Sequence, residues 1–200
     1  LKAYIDNPAL PLVSEPKLVN YGACYLFGSY LHDRLGVDGV KGLVASSQTG
    51  ISSIDDVMPH GGFDVLFGEF AAANMLDDPE LEEGQFGHSL IDFQQMQSST
   101  FGSSATKEID VQPSGLSYVQ LFWQMGDSET YQVTFDAKGT TAQAYAVHLP
   151  TSNVWALTNG QPVELHLFDD PTVVFAIANP DPAAKVTVSL AIEIVEGEYP

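Results

Sequence analysis

The run YVQLFWQM at residues 118–125 decides how the second half of the chain is read. Its alternation puts Val119, Leu121 and Trp123 on one face, the period of two expected of a pleated strand with one side against a core. Core packing therefore accounts for Trp123. Similar runs, rich in β-branched and aromatic residues, follow: TYQVTFDA at 130–137, TAQAYAVHL at 141–149, PTVVFAIA at 171–178 and KVTVSLAIEIV at 185–195. Turn residues separate them at Gly126-Asp127-Ser128, Lys138-Gly139, Asn159-Gly160 and Asn179-Pro180-Asp181-Pro182, each suited to a tight reversal. Roughly seven or eight short antiparallel strands are predicted, a number that suits a β-sandwich.

From Ser14 to about Asp77 the period is helical and the stops are glycines. Ser14 is placed to cap a first helix, with Pro16 in its first turn, where a missing N–H does no harm. That helix contains NYGACYLFGSYLHDRLG at 20–36 and ends at Gly36. Gly22 and Gly28 inside it lower helix propensity by up to about 1 kcal/mol each and permit close approach of a neighbour. The neighbour is open: another helix, the β-sandwich, the segment around Tyr4 and Ile5, or a second molecule. A short helix is expected over 38–45, and Ser53 with Asp56 resembles a capping box for another ending at Met58. GFDVLFGEFAAANMLDD at 62–78 places Phe63, Leu66, Phe67, Phe70 and Ala73 on one face, the spacing of an amphipathic helix. Asp77-Asp78-Pro79 stops it. The Ser/Thr/Gly-rich stretch QSSTFGSSATKE at 97–108 reads as a linker. The expected architecture is α+β in two domains: an all-α helical subdomain over 1–98 and an antiparallel β-sandwich over 99–200.

Seven basic against 26 acidic residues give a formal charge of −19. The first hundred residues hold 14 acids and 4 bases, the second hundred 12 and 3, so the charge belongs to the whole surface. Nucleic acid and anionic membrane surfaces are poor partners for it. The charge suits an extracellular or salty medium, and the expected location is secreted or cell-surface. No apolar run is long enough to span a bilayer, which needs about 18 residues or more. The first residues carry no signal-peptide pattern and read like the middle of a longer protein. The single cysteine, Cys24, reads as a small buried side chain rather than a nucleophile, which would need a histidine partner in an electropositive setting.

Complete catalytic signatures are absent from the sequence. His32, His60, His88, His148 and His166 do not pair at metal-ligand spacing, and there is no H-E-x-x-H, G-x-S-x-G or phosphate-binding glycine loop. His148 and His166 lie in strand patterns, where a surface or sandwich-edge role is expected. The acidic stretch LDDPELEEGQFGH offers Asp77, Asp78 and Glu80 as calcium candidates, because aspartates at a helix C-terminus oppose its dipole and a cation would compensate. Its spacing is not that of an EF-hand, and a solvated loop is the competing reading. Among the aromatics of the second half, Trp155 follows Pro150-Thr151-Ser152-Asn153 and is the candidate for an exposed, sugar-stacking ligand site.

NYGACYLFGSYLHDRLGVDGVKGLVASSQTGISSIDDVM followed by FDVLFGEFAAANMLDD is similar to the region downstream of the zinc motif in secreted metallopeptidases of the hyicolysin type, relatives of the thermolysin-like gluzincins. The shared features are the Tyr-Gly-Ala-x-Tyr-Leu-Phe helix ending Tyr-Leu-x-Asp-Arg-x-Gly, the Thr-Gly-Ile turn, and the Phe-x-x-x-Phe helix ending Ala-x-Asn. The strand-rich half resembles, less specifically, β-sandwiches appended to such peptidases. The resemblance implies a zinc site upstream, none in this chain, and a helical lobe that closes the substrate cleft. Tyr21 and Tyr25 stand in the matching helix as cleft candidates, against a core position for each. The implied function is the non-catalytic C-terminal part of a zinc metallopeptidase, inactive alone, meeting peptide or protein substrate through the parent catalytic domain. The alternative is an extracellular carbohydrate- or protein-binding module with a helical adaptor.

Overall fold

The computed structural model describes residues 1–13, 20–58, 61–92, 96–102, 105–122, 129–167 and 172–195. Ser14, Pro16, His60, Trp123 and the 126–128 turn lie outside the described residues. A helical part precedes two antiparallel-rich sheets, so the fold is α+β in two parts, as the change of period indicates. The helices are α1 (Lys2–Ile5), α2 (Asn20–Ala45), α3 (Ile51–Val57) and α4 (Gly62–Leu76). The strands are β1 (Ser99–Gly102), β2 (Ala105–Val111), β3 (Gly115–Phe122), β4 (Glu129–Asp136), β5 (Gln143–His148), β6 (Asn153–Ala156), β7 (Pro162–Leu167), β8 (Val173–Asn179) and β9 (Val186–Val195).

One sheet has the order β1-β3-β8-β5-β6 and the other β2-β9-β4-β7. The described pairings are antiparallel except β1 with β3, which run parallel. Residues 97–108 are therefore not a linker: Ser99–Gly102 and Ala105–Val111 are strands β1 and β2, one in each sheet. Their polar side chains hid them, because β2 is an edge strand and four of its seven positions are exposed. Between the sheets lies a core that includes Val133, Phe135, Phe175, Ile177, Val188 and Leu190. A second core joins the other face of the five-stranded sheet to the helices, with Tyr118, Tyr145, Val147, Val174, Ala176 and Ala178 on its sheet side. Every residue of β8 is consequently buried, which is why VVFAIA reads as a continuous apolar run rather than an alternating one.

The helix α4 lies directly on β5 and β8. Gly68 makes this contact possible, since a Cβ there would stand 2.7 Å from Gln143 Cβ and 2.9 Å from Tyr145 Cε2. On the opposite side α4 meets α2: the Phe27 ring lies 5.9, 5.9 and 5.1 Å from Phe63, Phe67 and Phe70, edge to face in each case, the favourable geometry for ring quadrupoles. The apolar face expected for α4 is present. The helix is also covered on its remaining sides, so that every residue from Leu66 to Met75 is buried, Glu69 and Asn74 among them.

Helix α2 is interrupted at Gly36, whose φ of 64° breaks the helical path, and resumes toward Ala45; the stop and the short following helix agree with the sequence. The capping box does not form. Helix α3 starts from Gly50, and the Ser53 hydroxyl donates back to the Gly50 carbonyl at 2.7 Å from inside the helix. The N-terminus of α4 is instead met by Asp55, whose Oδ1 accepts from Phe63 N–H at 2.8 Å. At the other end Asp77 takes the left-handed conformation, φ 51°, and stops α4 as expected.

Candidate functional site

Helix α2 buries Asn20, Gly22, Ala23, Leu26, Phe27 and Tyr30. At about 100° per residue, positions 21, 24, 25 and 28 then fall on the opposite side. Tyr21 and Tyr25 are exposed, at 62% and 63%, so the core position weighed for them does not hold. Cys24 is exposed too and only approaches the Leu12 carbonyl, at 3.6 Å; the buried reading of it is corrected by the same helical geometry. Gly22 and Gly28 also part company. A Cβ at Gly22 would meet Leu1 and the Tyr4 side chain at 3.1 to 3.2 Å, so the N-terminal helix α1 is the neighbour received there. At Gly28 a Cβ would meet nothing within 4 Å.

The other sequence candidates are dispersed. Trp155 is half-buried in β6 and packs against the core between the sheets, so it is no exposed stacking platform. Its partner across the ladder is Ala146, a small residue that leaves room for the indole. Asp77 Oδ1 accepts from His88 N–H at 3.1 Å, and Asp78 Oδ1 accepts from Glu80 N–H at 3.1 Å. These carboxylates organise their own loop, and among the described residues no group of three or more His, Cys, Asp or Glu could hold a metal ion. His148 is buried at the end of β5, an interior strand of its sheet, 2.6 Å from Thr151 Oγ1, rather than on a surface or edge. His166 does sit on an edge strand, β7, beside Thr130 Oγ1 at 3.0 Å.

What the structure brings together is a buried polar group under the loop 77–89. Arg34 of α2 pairs with Glu69 of α4 at 3.0 Å, the two side chains 19% and 10% exposed. Gln85 Nε2 donates to Glu69 Oε1 at 2.8 Å, and the Tyr30 hydroxyl donates to the Gln85 carbonyl at 2.8 Å. Burial raises the Glu69 carboxyl above its usual range while the Arg34 guanidinium opposes this. The Tyr145 phenol, beside them, is pushed up to about 12 by burial and then by the charge of Glu69. Next to this group His88 lies against Tyr30 and Phe70, with Nε2 3.0 Å from Asn74 Oδ1. Facing an acceptor, that nitrogen carries the proton of the neutral ring. Burial lowers the imidazole to about 4, only partly offset by Asp33. Asp33 receives both the N–H and the hydroxyl of Ser89, at 2.8 and 2.5 Å.

These contacts fasten the acidic loop to both long helices. Where it crosses the sheet it leaves a cleft of about 380 Å³, walled by Leu81, Glu82, Gln85 and Phe86 on one side and by Tyr145 and residues 152–154 and 156 on the other. Its aromatic end is the Phe86–Tyr145 pair, ring centroids 6.2 Å apart. The sequence concealed the polar group because hydrogen-bonded partners in it stand 55 and 56 residues apart. The one legible signal was a charged residue, Glu69, in the middle of the apolar run LFGEFAAANML, since a buried carboxylate calls for a cationic partner.

No family model matches the chain, and no curated protein matches it. Among solved structures it is similar to the pre-peptidase C-terminal domain of collagenase from Bacillus anthracis, at 12% identity over 51% of this chain and 100% of that one, TM-score 0.38. A periplasmic inhibitor of g-type lysozyme from Salmonella Typhimurium aligns at 10% identity over 50% of this chain and 100% of its own, TM-score 0.38. The Yersinia pseudotuberculosis-derived mitogen aligns at 10% identity over 48% and 88%, TM-score 0.34. Likenesses this loose carry no argument about function.

Proposed function

We propose that this chain is the non-catalytic C-terminal part of a secreted zinc metallopeptidase, its helical layer forming a wall of the substrate cleft and its β-sandwich an accessory module for substrate or surface binding. The resemblance of residues 20–78 to the hyicolysin type motivates the reading, and one structural observation carries it. In the helix that bears the most specific shared motif, Tyr21, Cys24, Tyr25 and Gly28 form an exposed stripe on the side turned away from the core. A stripe of two tyrosines beside a bare glycine suits a cleft wall or a surface covered by a preceding segment of a longer protein. No helix of the described residues is long and apolar enough to cross a membrane, which is compatible with secretion.

The test begins with the coding sequence upstream of Leu1. An in-frame H-E-x-x-H is expected there, and an in-frame stop codon immediately before Leu1 overturns the proposal. The longer polypeptide, supplied with zinc, should cleave casein and lose that activity to a chelator. The 200-residue chain alone should not cleave it. Chelator-sensitive cleavage by the short chain would overturn the assignment of a non-catalytic part.

A further inference from the structure

The cleft beside β6 has a second property that arises from strand registry. Strand β6 ends its sheet and, among the described residues, pairs only with β5. Leu157 N–H donates to the Ala144 carbonyl at 2.9 Å. The register Ala146↔Trp155 and His148↔Asn153 continues the same series. In an antiparallel ladder the hydrogen-bonded pairs alternate with the non-bonded ones. Asn153, Trp155 and Leu157 therefore turn their backbone groups toward β5, while Val154 and Ala156 turn theirs outward along the edge. The Val154 side chain packs toward the helical core and Trp155 toward the core between the sheets, so Val154 and Ala156 present their side chains on the cleft side. A strand added at this edge would place the residues opposite them on that same face, over the cleft.

We propose that the free edge of β6, with the cleft above it, docks an extended basic segment of another polypeptide, which adds as a further strand and seats a lysine or arginine side chain among Phe86, Tyr145 and Glu82. Edge strands are templates for such addition, the backbone supplying affinity and alternate side chains the specificity. The cleft, at about 380 Å³, lies at the small end of ligand pockets, which run from roughly 300 Å³; it suits one or two side chains rather than a large cofactor. Its wall contains Glu82 and no Lys or Arg, Glu80 and Glu83 are exposed in the same loop, and the whole chain carries −19. The nearby guanidinium of Arg34 is already paired with Glu69. Phe86 and Tyr145 supply the aromatic surface on which a guanidinium or ammonium rests favourably. This inference is independent of the peptidase reading.

The test uses the whole chain and a short fluorescein-labelled peptide of alternating threonine and arginine, titrated by fluorescence anisotropy, with a threonine–glutamate peptide as the control. Saturable binding of the arginine peptide alone is expected. Ala156→Pro removes one outward N–H and no bond to β5, and proline is tolerated at an edge; Glu82→Gln removes the carboxylate of the wall. Each should weaken binding by at least about tenfold, as loss of a backbone or charge-assisted hydrogen bond does, with circular dichroism and Tm unchanged. Absence of binding, equal binding of the two peptides, or full affinity in both variants would overturn the proposal. So would glycan-array binding that is lost on Tyr145→Phe while the arginine peptide does not bind, because that outcome makes the cleft a sugar site.

Discussion

Helices α2 and α4 carry similar sequences and meet opposite fates. Both are apolar, rich in aromatics and interrupted by glycine, yet α4 is buried on every side while α2 is buried along one stripe and open along the other. The difference lies in position and not in composition. Helix α4 is the middle layer, with β5 and β8 on one side and α2 and α3 on the other; α2 is the outer layer. An apolar surface on the outer layer of a folded chain invites a partner, and the same residues one layer inward simply make the core.

The largest effect that separates the two helices should come from truncating aromatics. Phe70 is fully buried between Phe27 and His88, and Phe70→Ala should lower the unfolding free energy by about 3–5 kcal/mol. Tyr25→Ala, on the exposed stripe, should change it by less than about 0.5 kcal/mol. Urea denaturation of both variants would check this, and equal losses would mean that α2 is covered in solution by something else.

A comparable effect is expected from pH, because the polar group that α4 helps to bury includes a histidine held neutral. His88 titrates near 4 in the folded protein and near about 6.5 in an unfolded chain. Between these values the unfolded state binds the proton and the folded state does not, so stability is complete above the upper value and falls as pH drops toward the lower one. The loss amounts to about 3 kcal/mol. Glu69 acts in the opposite sense: its raised carboxyl takes up a proton more readily in the folded state, favouring that state as pH falls. Chemical denaturation of wild type and Glu69→Gln across this window should therefore show the steeper decline in the variant, and His88→Gln should flatten it. A His88→Gln slope identical to wild type would show that the imidazole is not the group responsible.

How much of this was legible in the sequence differs between the same two helices. The core face of α4 and the period-two strands follow from local pattern, because every neighbour that buries them rewards the same alternation. β1 and β2 were hidden, since edge strands with solvent-facing Ser, Thr, Lys and Glu imitate a linker. The polar group of Arg34, Glu69, Gln85, Asn74 and His88 was hidden for another reason: apart from Glu69 in its apolar run, each residue is unremarkable on its own helix or loop, and its burial depends on partners brought in from elsewhere in the chain. The exposure of Tyr21 and Tyr25 could not be read at all, because it depends on which element occupies the layer outside α2.

Glycine gives a smaller and finer contrast. Gly68→Ala would drive a methyl group to 2.7 Å from Gln143 Cβ and 2.9 Å from the Tyr145 ring. Overpacking of this kind between a helix and a sheet should lower stability by about 1–3 kcal/mol, measured as a fall in the urea midpoint with an unchanged slope. An unchanged midpoint would mean that α4 can lift off β5 without penalty.

Gly28→Ala should do the reverse, and by the least. The position is helical, solvent-exposed and free of any neighbour within 4 Å of a Cβ, so alanine gains helix propensity at no steric cost, about 0.5–1 kcal/mol of added stability. The sign is informative beyond its size. In the isolated chain the variant should melt a few degrees higher, by the roughly 2–4 °C per kcal/mol of a domain this large. If a segment of a longer protein packs across Tyr21, Cys24, Tyr25 and Gly28, the same methyl group lies in that contact, and in the longer protein the gain should vanish or turn into a loss. A gain of equal size in both would leave the stripe as open surface, and would remove the main structural support for reading α2 as part of a larger cleft.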